Sequence, residues 1–93
     1  EYQNLWKKIV TLHDEAKSLD DDLKIHVWNE IVNMISTNCN EFCDVTSKSE
    51  LKSMLDMISS ESKGVTNSLL KSNVETLQAN IQTTVSKIDT VKN

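Results

Sequence analysis

The stretch LKSNVETLQANIQTTVSKIDTV, from Leu70 to Val91, carries a heptad repeat of apolar residues. Such a repeat places its apolar side chains along one seam of a helix. One seam position holds Val74, Ile81 and Ile88, and the other holds Leu70, Leu77, Thr84 and Val91. The repeat predicts a helix over residues 66–92, which at about 1.5 Å rise per residue is roughly 40 Å long. We expect its C-terminal turns to project beyond the preceding helix or to pack on another molecule.

The N-terminal part of the chain shows two further helical patterns. Apolar residues alternate in steps of three and four, which predicts a helix over residues 2–19. Its stripe consists of Tyr2, Leu5, Ile9, Leu12, Ala16 and Leu19. The acidic run Asp20–Asp22 then offers an N-cap side chain and negative charge that the helix dipole favours. A second helix is therefore expected over residues 21–42, with an apolar face wide enough to contact two neighbours.

A third helix is predicted between the cysteines and the single glycine. Ser47 and Glu50 match the capping box, in which each side chain satisfies a backbone N–H at the helix start. Gly64 is placed to supply the left-handed residue that ends a helix. The third helix is therefore expected over residues 47–63.

These four segments predict an all-α fold in a single domain of residues 1–93. One glycine and no proline leave few of the residues that tight turns require. Short connections are expected to make consecutive helices antiparallel neighbours, which gives a small antiparallel four-helix bundle with a long C-terminal helix. The alternative is a set of helical hairpins that completes its core only as a homodimer, and the polar Thr84 in the seam keeps that alternative open.

The charge balance argues against nucleic acid as a partner. All ten basic residues are lysines, and with 14 acidic residues the net charge is −4. The chain therefore lacks both a basic face and the arginine forks that bind phosphates and bases. No apolar run approaches the roughly 20 residues of a transmembrane helix. Since the chain begins with glutamate and shows no signal-peptide pattern, we expect a mature product or an excised segment.

Cys39 and Cys43 are expected in the last turn of the second helix. Residues four apart in a helix are close enough for a disulfide if the helix end unwinds. The spacing leaves two alternatives, namely a local Cys39–Cys43 disulfide in an oxidising compartment, or reduced thiols with Cys39 in the core. Zinc needs four ligands, and the nearest candidates, His13 and His26, lie on different helices. We therefore expect no metal and no cofactor.

No catalytic signature stands out from the sequence. His13, Asp14 and Glu15 are adjacent in sequence, but in a helix the two carboxylates point away from the face that carries the histidine. We interpret His13 as a boundary histidine among solvated carboxylates. A single glycine also rules out a glycine-rich phosphate loop. The chain is therefore not expected to be an enzyme.

Aromatic and methionine side chains are the candidate contacts for a partner or ligand. Trp6 and Trp28 are expected at similar depth in the bundle, where they could stack with Tyr2 and Phe42 as core residues. The same residue types dominate binding hot spots, and methionines adapt to varied partners. The candidate contact residues are Tyr2, Trp6, Trp28, Met34, Met54 and Met57.

The segment KSNVETLQANIQTTVSKIDTVKN is rich in Lys, Asn, Ser, Ile and Asp and lacks Pro and Arg. In this amino-acid composition the chain resembles helical ectodomains of malaria-parasite surface and invasion proteins of the reticulocyte-binding homologue type. The resemblance extends over the whole chain and includes no diagnostic motif. The resemblance implies a segment of a host-cell adhesin or of its regulatory region, displayed outside the parasite, with a host-cell receptor as its protein partner.

Three functions therefore compete at this point. The first is a protein-interaction or adhesion module, secreted or at the cell surface, which binds another protein through a helical face. The second is a small carrier that holds a lipid or other apolar ligand between its helices, lined by Trp28, Met34, Ile35, Met54 and Leu55. The third is a structural coiled-coil oligomeriser, in which the Leu70–Val91 seam meets its copy.

Overall fold

Four α-helices make up the fold in the computed structural model of the chain, which describes residues 2–41 and 44–91. A 3₁₀ turn at Cys39–Glu41 follows the second helix, and another at Ser68–Leu70 precedes the fourth. No strand occurs in the described ranges. The predicted all-α class is confirmed. The helices are α1 (Tyr2–Ala16), α2 (Asp21–Asn38), α3 (Val45–Ser62) and α4 (Lys71–Thr90).

The helices form a bundle in which α2 and α4 are neighbours. α2 packs along both α1 and α4, and α3 packs along α4, whereas α2 and α3 touch only slightly. Asn80 Nδ2 donates to Asn29 Oδ1 at 3.4 Å. Further along both helices, Lys87 Nζ donates to Ser36 Oγ at 3.0 Å. Both pairs have the same residue offset, so α2 and α4 run in the same direction.

The prediction that consecutive helices are neighbours is wrong for α2 and α3. Gln78 Nε2 donates to Ser62 Oγ, and Lys52 Nζ donates to Asp89 Oδ1. α3 is therefore antiparallel to α4, and so to α2, but lies diagonally across from α2. Residues 39–44 therefore join two helices that occupy diagonal positions in the bundle.

The seam of α4 faces the core, as its heptad predicts. Leu77, Ile81 and Ile88 are buried, and the polar Thr84 is only 2% exposed. The side chains that the other helices bury completely include Ile9, Ile31, Ile35, Leu51, Leu55 and Ile58. The core is thus closed within one chain, in a bundle with extents of 41 × 23 × 17 Å. The alternative, hairpins that complete a core only as a dimer, is not the observed arrangement.

α4 is shorter than predicted and does not project. It begins at Lys71 because the Asn67 side chain caps a 3₁₀ turn instead, accepting from the Leu69 N–H at 2.9 Å. α4 has 20 residues and α3 has 18, so the two helices have similar lengths. Lys48 Nζ donates to the Val91 carbonyl, so the end of α4 lies against the start of α3.

The α1–α2 corner also differs in detail from the prediction. α1 ends at Ala16 rather than at residue 19, and the Leu19 N–H donates to the Ala16 carbonyl at 3.1 Å, the spacing of a tightened 3₁₀-type turn. Asp20 precedes α2 as predicted, but its side chain makes no capping hydrogen bond. Asp21 and Asp22 do place negative charge in the first turn of α2, where the helix dipole favours it.

The N-cap of α3 is Asp44, and the predicted capping box of Ser47 and Glu50 is wrong. Asp44 Oδ2 accepts from the Ser47 N–H at 3.0 Å, and Asp44 Oδ1 accepts from the Ser47 hydroxyl at 2.7 Å. Ser47 therefore lies at the third helical position, and α3 starts two residues earlier than expected. The two hydrogen bonds from Ser47 lower the pKa of Asp44, because they stabilise its ionised form.

We expect Asp44→Ala to lower the thermal midpoint at neutral pH, because it removes the acceptor for the Ser47 N–H. The folded pKa of Asp44 is depressed. Its contribution is therefore present above the unfolded-state pKa and is lost as the pH falls through the folded pKa. The difference in midpoint between wild type and Asp44→Ala should accordingly shrink at acidic pH in circular dichroism melts. A difference that does not depend on pH would contradict the capping role of the carboxylate.

Gly64 does not adopt the left-handed conformation predicted for it. No described glycine has a positive φ, and Lys63 closes α3 in a right-handed helical conformation. The Gly64 N–H donates to the Glu61 carbonyl at 3.0 Å. A Cβ at Gly64 would lie 3.2 Å from that carbonyl oxygen, so this contact, and not the backbone conformation, limits substitution there.

Candidate functional site

An open groove lies between the N-terminal halves of α1 and α3. Its volume is about 770 Å³. One wall comes from α1, and the other comes from the start of α3 and its N-cap. The groove is lined by Tyr2, Gln3, Asn4, Trp6, Lys7, Val10, Thr11, Asp44, Thr46, Ser47 and Glu50.

An aromatic pair forms the α1 wall. Tyr2, Trp6 and Val10 follow one another at intervals of four residues, so they lie along one face of the helix. The rings of Tyr2 and Trp6 stack with centroids 6.2 Å apart and an interplanar angle of 18°. Both side chains are half-buried, and Val10 is 40% exposed. The wall therefore presents apolar and aromatic surface to solvent at the edge of the core.

A hydrogen bond joins the two walls of the groove. The Tyr2 hydroxyl donates to Glu50 Oε1 at 3.0 Å. Burial is the main reason that the pKa of Tyr2 is raised well above its ordinary value. The hydrogen bond to Glu50 and the negative charges of Glu50 and Asp44 raise it further. Burial, the hydrogen bond and the two nearby charges all favour the neutral form of the Tyr2 hydroxyl.

We expect the phenol of Tyr2 to titrate well above about 10, the ordinary tyrosine pKa. Tyr2 is the only tyrosine in the chain, so the ultraviolet absorbance of the phenolate reports this group alone. Glu50→Gln should lower the midpoint only in part, since burial is the larger cause. Glu30→Gln, an exposed carboxylate on α2, should leave it unchanged. An ordinary midpoint, in a chain that circular dichroism shows to be folded, would contradict the burial of Tyr2 together with its contact with Glu50.

A second side-chain contact joins α1 and α3 further along the bundle. His13 Nε2 lies 2.5 Å from Glu61 Oε1, and His13 is 7% exposed. The interpretation of His13 as a boundary histidine among solvated carboxylates is therefore wrong, although Asp14 and Glu15 are exposed as expected. The Tyr2–Glu50 and His13–Glu61 contacts have the same residue offset, so α1 and α3 run in the same direction.

The other predicted contact residues do not belong to the groove. Trp28 is 3% exposed and lies near Glu61 and Gly64, away from Trp6, so the two tryptophans are not at the same depth. Its Nε1 is buried without a hydrogen-bond partner among the described residues. Met54 is buried, Met34 is half-buried, and Met57 is exposed on α3. Only Tyr2 and Trp6 of the predicted set are brought together.

The cysteine region is described only in part. Cys39 is buried, its Sγ lies 3.5 Å from the Ser36 carbonyl oxygen, and no disulfide is seen among the described residues. Phe42 and Cys43 lie outside the described residues, so the predicted Cys39–Cys43 disulfide and the stacking role of Phe42 stay predictions. Within residues 2–41 and 44–91, no group of histidine, cysteine and carboxylate side chains could hold a metal ion. No helix in those ranges is long and apolar enough to span a membrane.

Sequence reasoning missed most of the residues that complete the groove. Val10, Lys7, Asp44 and Glu50 all line it. The four-residue spacing of Tyr2, Trp6 and Val10, beside the core stripe of α1, was a usable signal. No local signal marks Glu50, because its partner on the other helix is 48 residues away.

Similarity to known proteins does not assign the groove a role. No protein-family model matches the chain, and no curated protein or solved structure matches it. The role of the groove therefore has to be inferred from its own geometry and chemistry.

Proposed function

We propose that this chain is a non-enzymatic protein-interaction module whose contact surface is the groove between α1 and α3. The observation that carries the proposal is the stacked Tyr2–Trp6 pair on the wall of an open groove. Tyrosine and tryptophan are enriched among the residues that dominate binding energies at protein interfaces. A groove that combines such anchors with polar rim residues suits a segment of another protein.

The packing of the core supports this function over a carrier of apolar ligands. Of the five residues expected to line a ligand cavity, four are at most 5% exposed and Met34 is half-buried. The four are Trp28, Ile35, Met54 and Leu55. They fill the space between the helices that a ligand would need. The groove, in contrast, is open to solvent and lined by polar as well as apolar side chains, which is less suited to an apolar molecule that buries most of its surface.

The placement of the α4 seam supports this function over a coiled-coil oligomeriser. A seam that served assembly would have to be available to a second chain. Leu77, Ile81 and Ile88 are instead at most 4% exposed, because α2 and α3 pack on them within the same chain. Sedimentation should therefore show a monomer. A stable dimer at micromolar concentration would instead favour the coiled-coil oligomeriser as the function.

The adhesion part of the proposal rests on the resemblance to helical ectodomains. It places the module outside the cell, secreted or at the cell surface, with a host-cell receptor as the kind of partner. In an oxidising compartment, Cys39 and Cys43 should be linked to each other when the protein is isolated without reductant. Mass spectrometry after alkylation would test this, and two alkylated thiols would count against the extracellular placement.

Selection of binding peptides would test the interaction surface. Peptides selected from a random library on the intact chain should converge on the groove, because hot-spot surfaces provide most of the available binding energy. Val10→Lys should abolish binding of most of them. Met57→Lys is the matched control, since Met57 has a similar exposure, 47% against 40% for Val10, but lies outside the groove. Binders that lose affinity with Met57→Lys and not with Val10→Lys would overturn the proposal.

A further inference from the structure

Two carboxylates face the aromatic wall of the groove. Asp44 and Glu50 lie on the α3 side of the groove. Among the described residues that line the groove, Lys7 carries the positive charge. The hydrogen bonds from Ser47 lower the pKa of Asp44, which keeps it ionised. Glu50 reaches into the groove, where its Oε1 accepts from the Tyr2 hydroxyl at 3.0 Å, and the negative charges of Glu50 and Asp44 both contribute to the raised pKa of Tyr2.

We propose that the groove binds an arginine side chain of the partner protein, with the guanidinium group between Trp6 and Glu50. This inference rests on the proposed function, since it names the chemistry of the segment that the groove takes. It follows from charge complementarity, because two carboxylates and a pair of aromatic rings offer opposite charge and a stacking surface to one cation.

Each part of an arginine side chain finds a suitable contact. The planar guanidinium stacks on aromatic rings and donates several N–H groups at once. Tyr2 donates to Glu50 Oε1, and the second carboxylate oxygen of Glu50 offers its own lone pairs to a guanidinium N–H. The methylene stem can lie against Val10, with the charged head at the rim. The more compact and more strongly hydrated lysine ammonium would use the aromatic surface less well.

Nuclear magnetic resonance of the intact chain with capped arginine would test the inference. The probe is N-acetyl-arginine amide, and the control is N-acetyl-citrulline amide, which has nearly the same shape but no charge. The chain has two tryptophans, so two indole N–H signals are observed. We expect the arginine probe to shift the Trp6 signal and to leave the signal of the buried Trp28 in place, while the citrulline probe shifts neither.

Two variants sharpen the test. Glu50→Gln keeps an acceptor for Tyr2 but removes the charge, and should weaken arginine binding by about two- to fivefold, the scale of a partly exposed ion pair. Lys7→Gln removes the competing cation and should strengthen binding. Equal shifts from arginine and citrulline, or shifts that map away from Trp6, would overturn the arginine assignment. If selected peptides still bind the groove in that case, only this inference fails, whereas peptides that bind elsewhere contradict the proposed function itself.

Discussion

Trp28→Ala is expected to lower the free energy of unfolding by about 3 to 5 kcal/mol, the cost of removing a large buried aromatic ring. Trp28 is 3% exposed, so nearly the whole side chain is lost from the core. A chain of this length has a total stability on the order of 5 to 14 kcal/mol. The variant should therefore unfold at a much lower denaturant concentration than the wild type.

Trp28→Phe is the control for the Trp28→Ala variant. The Trp28 Nε1 has no hydrogen-bond partner among the described residues, so phenylalanine loses part of the ring volume but no hydrogen bond. Its cost in the same denaturation experiment should be clearly smaller than that of alanine. A cost as large as that of Trp28→Ala would mean that the indole N–H has a partner after all.

Leu55→Ala is expected to lower the free energy of unfolding by about 2 to 5 kcal/mol. Leu55 has no exposed surface, so its truncation leaves a cavity between α3 and the other helices. Met57→Ala, two residues further along the same helix, is the matched control. Met57 is 47% exposed, and its truncation should stay within about 0.5 kcal/mol of the wild type.

The comparison of Leu55 and Met57 also tests the orientation of α3. If Met57→Ala cost as much as Leu55→Ala, the face of α3 that points into the bundle would differ from the observed one. The groove would then be affected too, because Glu50 reaches Tyr2 only if α3 presents it towards α1. Chemical denaturation followed by circular dichroism therefore bears on the site as well as on the core.

α1 contacts its two neighbours in different ways. It packs closely along α2, whereas the described contacts with α3 include the side-chain pairs Tyr2–Glu50 and His13–Glu61. The distance between packed helices depends on the side chains at their contact. The groove lies on the α1–α3 side, and the aromatic pair forms one of its walls.

The sequence by itself determined the helical class and the inward face of α4. The spacing of Leu77, Ile81, Thr84 and Ile88 is a local property of the chain, and burying an apolar stripe is the dominant driving force for packing. The same holds for the acidic first turn of α2, because the helix dipole acts over a few residues. These features need no knowledge of which helices become neighbours.

Only the tertiary structure decided how the helices are arranged and which side chains meet. The capping-box pattern predicts that Ser47 starts α3, whereas in the structure the Asp44 carboxylate accepts from the Ser47 N–H and caps the helix. The pairing of Tyr2 with Glu50 joins residues 48 positions apart, so no local pattern announces it. Apolar burial is non-directional, so the same apolar stripes could face inwards in several arrangements of the four helices. The groove forms only in an arrangement that makes α1 and α3 neighbours.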